Sequence, residues 1–181
     1  MTETAPLPAQ NKMAPDASDL CTQCGLCCDG TIYPKARAFP DDLTGLAEHG
    51  LTVLGQGEDE KLAFALPCPR LKGTCCTIYQ ERFTVCRRFR CALLQRLDGG
   101  EIDVTAALAT VAKARALVAA AEPEARTVAR RFEQRRSTSD WRDIADPELR
   151  EAAGRRNLLI TALEHHLNKH FRHQRHDTPK K

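Results

Sequence analysis

Residues 21–28 read Cys-Thr-Gln-Cys-Gly-Leu-Cys-Cys, and this stretch decides the architecture. Cys21, Cys24 and Cys27 repeat the Cys-x-x-Cys spacing twice, which lets thiolates reach one metal across a tight turn. Three ligands from one short loop leave a fourth to come from a distance. Adjacent side chains leave the backbone in diverging directions, so Cys27 and Cys28 are poorly placed to grip a single ion together. Cys28 therefore points to a second site, or to a ligand shared around a cluster.

Working outward, the nine cysteines stand at 21, 24, 27, 28, 68, 75, 76, 86 and 91, with none elsewhere. Cysteines used as small hydrophobes would scatter along the apolar faces of helices. These fall in Gly- and Pro-marked loops such as CGLCC and PCPRLKGTCC. A disulfide framework would suit a short secreted domain with an even count. Here the count is odd and no export signal precedes it. Metal ligation is the reading the spacing favours, with Cys68, Cys76, Cys86 and Cys91 as the thiols that fold back onto the first loop. Of Cys75 and Cys76, one is a spare.

The rest of the chain sets bounds. Residues 1–100 carry 11 Lys/Arg against 12 Asp/Glu, and residues 101–181 carry 16 against 12, within a net charge of +3. That mild basic balance falls short of the dense stripe of a nucleic-acid binder, so no nucleic-acid partner is expected. The first residues lack a cationic start followed by an apolar run, and no continuous apolar stretch of about eighteen residues is read anywhere. A soluble cytoplasmic protein without a membrane contact is the expectation. Pro6, Pro8 and Pro15 among small polar residues make 1–20 a flexible tail.

With these residues assembled, the chain resembles the bacterial YkgJ-type cysteine-cluster family of zinc- or iron-chelating domains with a CxxCxxCC signature. The resemblance rests on CTQCGLCC at 21–28, CPRL at 68–71, and GTCCTIYQER running into CRRFRC between 73 and 91. The family pattern is a Cys-Pro, then Gly-x-Cys-x-Ile-Tyr-Glu-x-Arg-Pro, then Cys-Arg-x-Phe-x-Cys. It matches Cys68, Cys76, Cys86 and Cys91 here and leaves Cys75 as the extra thiol. Gln80 stands where the family shows Glu, and Phe83 where Pro is usual after Arg82. The resemblance implies a metal held by Cys21, Cys24, Cys27, Cys28, Cys68, Cys76, Cys86 and Cys91. Flagellin lysine methylases look like more distant relatives, which implies that such a cluster can accompany methyl transfer.

Four thiolates on one Zn²⁺ carry a net charge of about −2, and a thiolate-bound iron-sulfur cluster is also anionic. Ligand type does not separate the two. Arg82, Arg87, Arg88 and Arg90 surround Cys86 and Cys91 in sequence, where they could offset that charge and lower thiol pKa values. The same run reads equally as a solvated helix turn. Phe89 and Tyr79 read as packing residues.

The expected fold is mainly α: a small metal-stapled module over 21–98 with little regular structure, then a three-helix region over 101–174 and a tail after it. Asp41–His49 reads as a short helix, and KLAFAL before Pro67 as a strand. After Gly99 and Gly100, a helix is expected from about 103 to 121, ended at Pro123, and a second from about 124 to 136. A third begins at Pro147 with Asp146 as cap and runs to about Arg172. His166, His170 and His173 share its face and could capture a metal, although histidines at a helix end are more often solvated.

No Gly-x-Gly-x-x-Gly, Walker loop or His-Glu-x-x-His motif appears, and an all-cysteine shell leaves no open coordination position. The expected function is a noncatalytic module holding zinc or an iron-sulfur centre, docking a protein partner or a second copy through its C-terminal helices. The alternative is an iron-sulfur-dependent redox or methyl-transfer enzyme, or its accessory subunit.

Overall fold

The computed structural model describes residues 17–55, 62–132 and 141–173. The first sixteen residues of the expected tail, and the segment after His173, lie outside them. The first helix, α1 (Ala17–Cys24), starts inside the stretch read as tail and carries Cys21 and Cys24. A Gly-marked turn follows, and then the chain forms a three-stranded antiparallel sheet of order β1-β3-β2, from β1 (Lys35–Arg37), β2 (Val53–Leu54) and β3 (Ala63–Ala65). Lys35 pairs with Ala65, and Val53 with Phe64. Between β1 and β2 a 3-10 turn (Pro40–Asp42) leads into α2 (Leu43–Glu48), where the sequence predicts a helix.

A two-stranded hairpin, β4 (Leu71–Lys72) and β5 (Cys75–Cys76), precedes a 3-10 turn (Tyr79–Glu81) and two short helices, α3 (Thr84–Arg88) and α4 (Ala92–Asp98). Phe83, standing where proline is usual after Arg82, has a backbone that a proline would fit. Arg82 has ψ 143°, and Phe83 has φ −58°, the value a proline ring would impose. The aromatic ring gained by the replacement is buried between β3 and α2, edge-on to Phe64 at 6.1 Å.

The C-terminal half differs from the three-helix expectation. One helix, α5, runs without a break from Val104 to Phe132, through Pro123. An internal proline removes one backbone hydrogen bond and crowds the preceding turn, a cost of about 3 kcal/mol. Alanines on both sides, among the strongest helix formers, carry the helix across that single defective turn. The side chains beyond Glu122 in α5, including the arginine-rich face expected over 124–136, lie outside the described residues. A short 3-10 turn (Trp141–Asp143) leads to α6 (Pro147–His170), which begins where expected: the Asp146 carboxylate accepts the Leu149 N–H at 3.0 Å.

α5 and α6 pair lengthwise through small residues. Ala107, Ala114 and Ala121 of α5 and Ala152, Ala153 and Gly154 of α6 are buried, and their size lets the backbones approach. By length and composition, Val104–Glu122 could also cross a membrane, which the reading of the sequence did not expect. In this fold its buried face packs on protein: α5 contacts α1, α4 and α6.

Two apolar clusters result. The first gathers Leu20, Leu26, Ile32, Leu93, Leu94, Val111, Leu163, Leu167 and Phe171, so it draws on both halves of the chain. The second gathers Ala38, Leu46, Leu51, Phe64 and Phe83 under the three-stranded sheet. The cysteine loops lie where these clusters meet.

Candidate metal centre

A cavity of about 340 Å³ opens between the clusters, and eight of the nine cysteines line it: Cys21, Cys24, Cys27, Cys28, Cys68, Cys76, Cys86 and Cys91. Cys75 does not. It is exposed on the far side of its hairpin, with its thiol turned to the Thr22 carbonyl at 3.6 Å. Strand alternation explains this, since successive side chains of β5 point to opposite faces. All nine are free thiols.

The first loop is shaped by its glycine. Gly25 has φ +68°, its N–H donates to the Cys21 carbonyl at 3.3 Å, and its own carbonyl accepts from Cys28 at 2.9 Å and Asp29 at 3.0 Å. A Cβ there would lie 3.1 Å from the Thr74 Cα. The turn thus requires glycine for conformation and for clearance, and it swings Cys27 and Cys28 back over α1.

Amides support several sulfurs. The Leu94 N–H donates to Cys91 Sγ at 3.4 Å, because Cys91 caps α4 with its thiol in the place usually taken by a hydroxyl or carboxylate. The Leu26 amide supports Cys24, and the Arg70 and Leu71 amides support Cys68. Each N–H···S contact favours the thiolate, the form that binds metal.

Burial works the other way. It pushes the Cys24 and Cys28 thiols up to about 12 and Cys86 to about 11, and holds Cys27 well above its ordinary value. Cys21, Cys68 and Cys91 are raised as well, again first by burial. Neighbouring thiolates would add to the rise at Cys21, Cys24, Cys27, Cys28, Cys68 and Cys86, which is the electrostatic mark of many sulfurs crowded together. A cation relieves it. Arg82 offsets the rise at both Cys21 and Cys86, and Arg90 does so at Cys21. Arg87 and Arg88 are exposed, and Arg88 lies 5.9 Å from the Phe39 ring centre. Of the four arginines singled out in the sequence, therefore, two act on the thiols.

The fold adds cations that the sequence did not single out. Arg70 lowers the Cys68 pKa, and its buried Nε has no hydrogen-bond partner. An orphaned cationic donor beside a thiol fits an anionic metal-thiolate group. Arg115 of α5 donates to the Cys24 carbonyl at 2.8 Å, tying the helix pair to the first loop. Asp42 accepts from Thr84 N at 2.8 Å and Thr84 Oγ1 at 3.1 Å, which fixes the start of α3 and so the position of Cys86. Arg70 lies within the quoted CPRL, but nothing local shows that its Nε is buried.

The three histidines do not converge on one point: the His166 and His170 ring centres lie 4.7 Å apart, with the His170 Nδ1 buried and without a hydrogen-bond partner, but His173 is held elsewhere. His166 is buried and its Nε2 donates to the Thr110 carbonyl at 3.0 Å, while His173 Nε2 donates to the Arg90 carbonyl at 2.7 Å. Both are committed to main-chain contacts. Among the described residues, no three His, Cys, Asp or Glu side chains already stand at the mutual separation one ion requires. The thiols surround the space without being closed on a point.

A cavity ringed by eight thiols, with Arg82 in its wall and N–H donors on several sulfurs, defines a metal-chelating domain in the class of cysteine clusters. The family model described as "CxxCxxCC: Putative zinc- or iron-chelating domain" matches residues 20–113, over half the chain, and the chain belongs to that family. Comparison with curated proteins and with solved structures found no match.

Proposed function

We propose that the chain is a noncatalytic module of the reducing cytoplasm that holds zinc or an iron-sulfur centre through Cys21, Cys24, Cys27, Cys28, Cys68, Cys76, Cys86 and Cys91. The observation that carries this reading is the selection of thiols: the cavity is lined by these eight and excludes Cys75. Random packing of a cysteine-rich segment would not sort them so. When bound, the metal supplies a staple, converting raised thiols to ligands and contributing roughly 10–16 kcal/mol of folding free energy at a structural zinc site. An all-sulfur shell of four leaves no coordination position for a substrate, which favours a structural role over catalysis.

Both metals suit such a shell, and an iron-sulfur centre would bring the redox or methyl-transfer alternative with it. The deciding experiment is anaerobic purification followed by elemental analysis and a visible spectrum. Zinc in a colourless protein supports the module; iron with sulfide and broad visible absorption moves the reading to the iron-sulfur branch. A protein without thiophilic metal after supplementation of the growth medium with both would overturn it. The helix pair is the surface through which we expect a protein partner or a second copy to dock, and its exposed Leu158 is the side chain to test first.

A further inference from the structure

We infer that the eight thiols form two separate four-sulfur metal sites, one of Cys21, Cys24, Cys27 and Cys91 and one of Cys28, Cys68, Cys76 and Cys86, each taking its own thiophilic metal centre. This rests on the reading that the cavity holds metal, and adds to it a count and a partition.

The partition follows from which elements carry each thiol. Cys21 and Cys24 stand on α1, which packs on α4, and Cys91 is the cap of α4. Cys24 and Cys91 are buried in the first apolar cluster, and Cys27 packs against it. The other set is built around the hairpin. The Cys68 N–H donates to the Cys28 carbonyl at 2.7 Å, and the Leu71 N–H donates to the Cys68 carbonyl at 3.1 Å. Leu71 in turn pairs with Cys76 across β4 and β5, so these contacts bring Cys28, Cys68 and Cys76 to one end of the hairpin. Cys68 and Cys86 pack against the second apolar cluster.

Cys27 and Cys28 are peptide neighbours on opposite sides of this division. The peptide between them is the boundary: consecutive side chains diverge, so each falls to its own set. Eight thiolates on one mononuclear ion would exceed the four that a thiolate shell accepts, while four and four fill two such shells.

The test uses the full chain, stripped of metal under anaerobic conditions and titrated with Co²⁺, whose visible bands report tetrahedral thiolate shells. The wild type should saturate at two ions per chain. Cys21→Ser and Cys68→Ser should each saturate at one. The pairs of substitutions then decide the partition. Cys21→Ser with Cys27→Ser, both in one set, should still bind one ion; Cys27→Ser with Cys28→Ser, adjacent in sequence but in different sets, should bind none. Circular dichroism checks that each variant keeps its helices, and Cys24→Ser and Cys76→Ser serve as substitutes for any that does not. Saturation of the wild type at one ion, or loss of both ions in a folded single variant, overturns the two-site inference while leaving metal binding intact. Absence of thiolate bands in the wild type overturns metal binding itself.

Discussion

Arg82 holds its guanidinium carbon 3.6 Å from the centre of the Tyr79 ring and donates its Nε to the Tyr79 carbonyl at 2.8 Å. The ring under the cation and the carbonyl beside it fix a side chain that would otherwise wander in solvent, so its charge faces thiols of both sets at once.

Arg82→Gln is therefore expected to weaken metal binding about 10- to 100-fold, the usual consequence of losing a group that supports the ligands. Removing the cation leaves Cys21 and Cys86 harder to ionise. Protons then compete better, and the pH at which half the metal is released should move upward. Metal retention measured against pH, for wild type and variant, gives that midpoint directly; an unmoved midpoint would count against the role.

The metal-free protein should lose stability as pH rises. Cys24 and Cys28 ionise in the fold near 12 and Cys86 near 11, all above the ordinary thiol value. The unfolded chain gives up these protons first, from about pH 9, and is favoured from there upward. Stability is thus fully present below about 9 and falls as pH climbs toward the folded values. Thermal melts of stripped protein across that range check the sign. The loaded protein should fail instead on acidification, where protons displace the metal.

Cys75→Ser should change neither metal content nor stability beyond about 0.5 kcal/mol, because the residue is exposed and its thiol makes a long contact to the Thr22 carbonyl. Elemental analysis and a denaturant melt suffice, and metal loss here would show that the wrong member of the pair had been set aside.

His166→Ala should leave the metal count unchanged and cost about 1–3 kcal/mol, by removing the imidazole's hydrogen bond to the Thr110 carbonyl and opening space between α5 and α6. Loss of metal with preserved helicity would instead make the imidazole a ligand.

Much of this arrangement can be read from residues 21–91, because metal-ligand spacing is a local property. The cysteines that the structure gathers round the cavity carry their signal in Cys-x-x-Cys and in the turns beside them, and Asp146-Pro147 announces the start of α6 by capping chemistry that needs no partner. What escaped was one local balance and several distant contacts. Pro123 reads as a stop, and only the run of helix formers on both sides lets α5 continue. The histidines share a face by periodicity, yet Thr110 and Arg90 claim two of them from other elements. Cys28 is set apart from Cys27 by adjacency alone, but its main-chain contact with Cys68, forty residues away, is anticipated by no spacing rule.

Phe171 and Arg172 bring a further consequence. The Phe171 carbonyl accepts the Ala92 N–H at 3.0 Å, and Arg172 Nε donates to the Ile32 carbonyl at 2.9 Å. Residues made late in translation thus brace the first loop and the residue after Cys91. A nascent chain that has left the ribosome only through residue 91 displays every cysteine but not this brace. Those thiols emerge before the end of α6 does, so the first loop and the start of α4 gain these two contacts only once the last residues of the helix pair have been made.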